Sequence, residues 1–130
     1  VYKRQQLAIA DSLTASVRGI YRGGLAIHAA LAAMAGGLGL SLDLSQIPSE
    51  QPLRNDKLLF SESAGRFLVT VTPDCRNAFE AAMGGLACNC IGSVTDIPRM
   101  VISSGEGKPL VDLSLDDIKT AWQTPFGDLV

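Results

Sequence analysis

The chain has 130 residues, with 13 acidic and 11 basic side chains and a formal net charge of −2. Hydrophobic residues make up 47% and charged residues 18%, which excludes the low-hydrophobicity, high-charge composition of disorder; a chain of this size buries roughly two thirds of its unfolded surface and needs no staple. No basic run is present, so the footprint of a nucleic-acid binder is missing, and the longest apolar stretch, Gly23 to Leu42, is broken by His28, Ser41 and glycines and reads as helix plus strand, not as a membrane span.

Val1 to Gln5 resembles a translated sequencing adaptor and is set aside as a non-native scar, which implies a reading frame that began upstream. Residues 6–130 are then expected to form one domain. Leu7, Ala10, Leu13 and Val17 recur at helical spacing, which predicts a helix over 6–17. Arg18 to Gly24 reads as a glycine-bearing loop. A second helix is expected from Gly24 to Ala35, apolar nearly all round, with His28 its only polar side chain and Gly36-Gly37 as its C-cap. Leu38, Leu40, Leu42 and Leu44 alternate with Gly39, Ser41 and Asp43, a strand with one buried face.

Ser45 to Asn55 carries Pro48 and Pro52 and reads as a surface loop. Lys57 to Phe60 is expected as a short strand, Ser61 to Gly65 as a turn, and Arg66 to Thr72 as a strand with Phe67, Val69 and Val71 on one face. Thr72-Pro73-Asp74 starts a helix whose inner stripe is Phe79, Ala82 and Met83, and Gly84-Gly85 ends it. Leu86 to Val94 is expected as a strand with Cys88 and Cys90 on one face. Arg99 to Ile102 and Leu110 to Leu113 read as strands joined by the turn Ser103 to Gly107. Ser114 with Asp117 makes a capping-box-like start to a last helix ending near Trp122, with Leu113 and Ile118 as its hydrophobic staple. The order of elements predicts an α+β fold, with a mixed, mostly antiparallel sheet and helices packed on it.

Two segments carry possible chemistry. In Arg18-Gly19-Ile20-Tyr21-Arg22-Gly23-Gly24, glycines precede a helix start, where free N–H groups and the helix dipole suit an anion such as phosphate. Glycine permits close backbone approach, and two arginines add charge-assisted donors. The same residues also make a plain helix-entry loop with solvated arginines. In Ser61-Glu62-Ser63-Ala64-Gly65-Arg66, a carboxylate, two hydroxyls and a guanidinium cluster at a turn feeding a strand. That cluster is either a ligand-facing sheet end or a hairpin turn with an exposed Glu62–Arg66 pair.

Other polar residues point elsewhere. His28 reads as a hydrogen-bonded core or interface residue. Three cysteines, Cys75, Cys88 and Cys90, make an odd set that suggests reduced thiols and a cytosolic setting. One histidine and no second thiol pair make a zinc site improbable. Cys75 sits in a helix's first turn, where a thiol pKa can fall, yet no histidine base lies nearby in sequence.

Three stretches carry a family resemblance. Gly23-Gly24-Leu25-Ala26, continuing through Met34 to Gly39 and Leu42-Asp43-Leu44, resembles the G-G-L-A…M-A-x-x-G-G-x-G…D-L run of AIR synthase-related C-terminal domains. Leu59 to Val71 is similar to the F-S-E-S-x-G-R-F-x-V-x-V segment of the phosphoribosylformylglycinamidine synthase large-subunit family, and Ile91 to Thr95 to its I-G-x-V-T strand. The resemblance covers about residues 7–123. It implies a three-layer α/β/α module, partly ferredoxin-like, from an ATP-dependent purine-synthesis amidotransferase.

That likeness also implies cofactors and partners. The parent enzyme uses ATP and Mg²⁺, and most nucleotide ligands come from a companion N-terminal ATP-binding module. Other implied partners are a glutaminase subunit, a small accessory subunit and a homodimer mate, in the cytoplasm. No cofactor and no turnover are expected for the isolated chain. The phosphate- or substrate-contacting residues would be Arg18, Tyr21, Arg22, Gly23, Gly24, Ser61, Glu62, Ser63, Gly65 and Arg66. One departure stands out: where the family pattern reads H-D-x-S-D, this chain has Arg18, Gly19, Ile20, Tyr21 and Arg22. Two carboxylates and a histidine have become two cations and a phenol, and arginine only donates. Metal chemistry through this loop is therefore disfavoured and direct phosphate clamping favoured. The competing readings are a structural assembly module, or a sister enzyme of the selenophosphate synthase or hydrogenase-maturation type, against which the Ser61 to Phe67 segment argues.

Overall fold

The computed structural model describes residues 1–105 and 109–124. Helix α1 (Tyr2–Ala10) is followed by strand β1 (Ser16–Gly19), helix α2 (Gly24–Gly36), strand β2 (Gly39–Asp43), helix α3 (Asn55–Phe60) and strand β3 (Phe67–Thr70). Helix α4 (Arg76–Ala82), strands β4 (Gly92–Thr95), β5 (Arg99–Ser103) and β6 (Val111–Ser114), and helix α5 (Leu115–Gln123) complete the order. Contacts cluster the chain into two units, Val1–His28 with Gln46–Cys90, and Ala29–Ser45 with Ile91–Val130. The α+β class and the mixed pairing hold, but the strands divide between two sheets instead of one.

In the first unit β1 and β3 pair antiparallel, with Ser16 opposite Thr70 and Gly19 opposite Phe67. The Ser16 and Thr70 hydroxyls meet at 2.5 Å on this ladder. Ala8 of α1 and Phe79 and Met83 at the end of α4 are buried together, with Leu13, Val69, Val71 and Leu86 packed on them. Fully burying a side chain of the Phe or Met size stabilises by about 1.5–3 kcal/mol, so this small cluster anchors α1 and α4 on β3. The helix expected over 6–17 is a correction: it runs from Tyr2 to Ala10. Ser12 adopts a left-handed φ of 56° just after its end, and Ser16 and Val17 go to strand β1. Residues 2–5, expected as a non-native scar, are helical; Arg4 Nη1 donates to Ala82 O at 3.2 Å and to Gly84 O, and Tyr2 packs edge-on against Phe67 at 5.5 Å.

The strand expected over Lys57 to Phe60 is helix α3 instead. Leu58 and Leu59 are both buried, and adjacent residues share a buried side on a helix but point to opposite faces on a strand. The helix expected after Thr72 opens with a 3₁₀ turn at Pro73–Cys75 before α4.

The second unit holds a four-stranded sheet in the order β4-β2-β5-β6. β2 runs parallel to β5 and antiparallel to β4, and β5 is antiparallel to β6. Leu40 and Leu42 of β2 and Met100 and Ile102 of β5 are neighbours in register and buried on one face. Asp43 Oδ1 accepts from Ser45 N and Gly105 N, both at 2.9 Å, and so ties the end of β2 to the turn after β5. The Ser114 cap forms as expected: its Oγ accepts from Asp117 N at 3.1 Å and donates to Asp117 Oδ2 at 2.6 Å. The strand expected from Leu86 is confined to Gly92–Thr95, because β2 offers partners only from Gly39 to Leu42; Cys88 and Cys90 lie off the sheet and exposed. In the turn expected over Ser103 to Gly107, Glu106 and Gly107 lie outside the described residues.

Candidate functional site

The antiparallel β1–β3 pair decides where the two motif-bearing segments go. Gly19, the last residue of β1, sits opposite Phe67, the first of β3. The segment leaving β1 must therefore emerge beside the segment entering β3. Ile20 N donates to Arg66 O at 2.9 Å and adds one rung beyond the ladder. The turn Tyr21–Gly23 and the bend Ser61–Gly65 then meet: Gly23 N donates to Glu62 Oε1 at 2.8 Å. The carboxylate occupies the start of α2, where backbone N–H groups and the helix dipole favour negative charge.

Gly23 and Gly24 have φ values of 86° and 69°, a region glycine enters at little cost. The sequence leaves Gly24 open between ligand approach and a plain helix entry; in the structure its Cα faces the end of α3. A Cβ on Gly24 would meet Leu59 O at 2.6 Å and Phe60 Cα at 2.7 Å. The amides of the turn also have partners within the chain. Gly24 N donates to Tyr21 O at 3.0 Å, and Tyr21 N donates to His28 Nε2 at 2.9 Å.

His28 is the buried, hydrogen-bonded residue the sequence suggested, 7% exposed. Arg18 Nε donates to its Nδ1 at 3.0 Å, and the Tyr21 ring packs edge-on to the imidazole at 5.8 Å. A neutral imidazole has one lone-pair nitrogen, so two donors compete for it. The backbone donor is fixed, which leaves Arg18 as the side chain able to swing away. Arg22 is exposed and makes no hydrogen bond or ion pair among the described residues.

Ser61, Ser63 and Arg66 belong to a second feature. They line an open groove of about 400 Å³ with residues of the 47–53 segment and Leu58. Arg66 Nη2 donates to Ser61 O, while Arg66 Nε is buried without a partner among the described residues. Burial pushes the Arg66 guanidinium below its ordinary pKa. No Glu62–Arg66 ion pair forms among the described residues; Glu62 turns to Gly23 instead. Gly65 has φ 78° at the bend, and an added Cβ there would meet no atom within 4 Å. The wall contributed by Ile47, Pro48 and Ser49 was missed, because a proline-bearing polar stretch carries no signal of what it will face.

A family model described as AIR synthase related protein, C-terminal domain, matches residues 2–104. The chain belongs to the AIR synthase C-terminal domain family. A relative of this family, phosphoribosylformylglycinamidine synthase subunit PurL from Synechococcus elongatus, is 35% identical over 103 residues, which is 77% of this chain and 13% of that protein. The chain thus spans under a sixth of that relative's length. Among solved structures, T. maritima PurL complexed with ATP matches 89% of this chain and 20% of its own, with TM-score 0.79 and 15% identity. PurLQS from Thermotoga maritima matches 87% of this chain and 20% of its own, with TM-score 0.78 and 15% identity. These structural likenesses establish the AIR synthase C-terminal fold. The family match begins at residue 2, within the stretch read as a scar at the N-terminus. No helix among the described residues is long and apolar enough to cross a membrane.

Proposed function

We propose that this chain is the C-terminal module of a phosphoribosylformylglycinamidine synthase, contributing one wall of a phosphate-contacting cleft whose other wall lies in a companion N-terminal module. The parent reaction, on this reading, joins ammonia to formylglycinamide ribonucleotide: ATP phosphorylates the amide oxygen, ammonia adds to the carbon, and phosphate leaves. The observation that supports the reading is the 2.8 Å bond from Gly23 N to Glu62 Oε1. It joins the G-G-L-A turn to Glu62 of the S-E-S-x-G-R-F segment, next to Arg22, which makes no hydrogen bond or ion pair among the described residues.

The roles divide accordingly. Arg22 supplies a mobile cation for a phosphate, and Arg18 a second once it leaves His28. Glu62 holds the turn while no ligand is there, and an incoming phosphate competes with it for Gly23 N–H. Mg²⁺ does not fit the described residues: the turn carries cations where acidic residues would be needed, and no group of three His, Cys, Asp or Glu among them could hold a metal. The ion therefore belongs with the companion module, as does most of the ATP contact. Assembly with a glutaminase subunit and a small accessory subunit, in the cytoplasm, is part of the same proposal.

A second reading, a structural assembly module without ligand contact, is favoured by one observation: the amides of Tyr21, Gly23 and Gly24 all have internal partners. Arg22→Ala in the full-length protein separates the two. Losing a hydrogen bond to a charged group costs about 1.5–3 kcal/mol, so phosphate-ligand affinity should fall roughly 10- to 150-fold with an unchanged melting temperature. Unaltered affinity rejects the first reading. The 130-residue chain alone should show no turnover.

A further inference from the structure

The groove beside Arg66 is separate in its chemistry from the glycine turn. Glu62 points to Gly23, while its neighbours Ser61 and Ser63 line the groove. The volume, about 400 Å³, falls in the range of small-molecule pockets. Arg66 is partly buried there with no carboxylate partner among the described residues, and its buried Nε–H has no acceptor. That Nε is sealed from solvent, so a ligand in the groove would meet the terminal guanidinium nitrogens. Among the described residues the guanidinium's one hydrogen-bond acceptor is the Ser61 carbonyl, which takes Nη2.

The other lining groups narrow the class of ligand. The Ser61 and Ser63 side chains make no hydrogen bond among the described residues, and both residues line the same groove as Arg66. Ile47, Pro48 and Leu58 supply an apolar wall. Glu50 lines the same groove and pairs with no cation among the described residues. Its negative charge opposes a phosphate dianion more strongly than a monoanion. The planar guanidinium fork matches a carboxylate.

We propose that this groove binds a small organic carboxylate, its oxygens on Arg66, Ser61 and Ser63 and its hydrocarbon part on Ile47, Pro48 and Leu58. The site does not rest on the phosphate-cleft reading, because no residue of the glycine turn takes part.

The test uses the ¹⁵N-labelled 130-residue chain, titrated with sodium butyrate and separately with sodium phosphate at constant ionic strength. The Arg66 Nε–H and the backbone amides of Ser61 and Ser63 are followed by NMR. Butyrate should saturate, with phosphate roughly 10-fold weaker. Arg66→Gln should abolish saturation, and Glu50→Gln should narrow the gap between the two anions. Ser63→Ala, at an exposed position that leaves the fold intact, should weaken butyrate severalfold, which keeps the test decisive if Arg66→Gln does not fold. Arg22→Ala, which probes the glycine turn, should leave butyrate binding unchanged. A linear, unsaturated response to butyrate overturns the site, as does wild-type affinity in Ser63→Ala. Phosphate binding as tightly as butyrate overturns the carboxylate assignment, and loss of butyrate binding in Arg22→Ala places any site elsewhere.

Discussion

Replacing Gly24 by alanine discriminates between two reasons for a glycine at the start of α2. If Gly24 is there for a ligand to approach, alanine costs only what its left-handed backbone imposes. If it is there because α3 abuts it, alanine forces backbone apart. At φ 69° a Cβ costs about 1–2 kcal/mol for the left-handed conformation alone. The added carbon would also lie 2.6 Å from Leu59 O and 2.7 Å from Phe60 C and Cα. These are main-chain atoms, which cannot rotate away, so relief requires moving the end of α3. Overpacking of that kind costs a further ~1–3 kcal/mol. Gly65 is the control within the same unit: its φ is 78°, and a Cβ there meets nothing within 4 Å. Gly65→Ala should therefore cost about 1–2 kcal/mol and Gly24→Ala about 2–5 kcal/mol. Urea unfolding at matched m-values reads the difference as a shift in midpoint. If the two variants agree within ~0.5 kcal/mol, the close approach of α3 is not what selects glycine, and the ligand explanation regains its place.

Ile102 is fully buried on β5 between β2 and β6; Ile102→Ala should destabilise by about 2–5 kcal/mol in denaturant unfolding, and a loss below ~1 kcal/mol would contradict its central place in the second unit. Arg4 donates to carbonyls at the end of α4; deleting residues 1–5 should lower the melting temperature, Arg4→Ala accounting for about 0.5–1.5 kcal/mol, whereas an unchanged melting curve fits an appended scar. Burial first, and the Glu80 carboxylate second, push the Cys88 thiol above its ordinary value. Alkylation of Cys88 should therefore lag a free thiol near pH 8 and quicken in Glu80→Gln, and equal rates would refute the shift. Because the folded state favours the protonated thiol, this contribution to stability is present below the unfolded thiol's pKa and is lost as pH rises through the folded one.

Much of the site's membership was legible in the residues, but its geometry was not. The glycine pair, Glu62 and Arg66 all carry a local signal, since glycine and charge at element boundaries are informative one segment at a time. Whether Glu62 would pair with Arg66 or cap the turn across a gap of 39 residues depends on β1 finding β3, a long-range pairing that spacing does not encode. The α3 segment was misread because four residues are too few to separate a helix period from a strand period. The Leu86 strand was overextended because a strand's length is set by its partner.

The sequence by itself determined the family, the alanine-rich buried helix, the alternating β2 strand and the Ser114 cap. Each depends on neighbours within a few residues, where periodicity, capping chemistry and motif identity act locally. Tertiary structure alone decided that the strands form two sheets, that the end of α3 abuts Gly24, and that Arg66 has no counter-ion among the described residues beside a groove. Those outcomes are set by which distant backbone segments come into register, and a burial or charge cost exists only once they have done so.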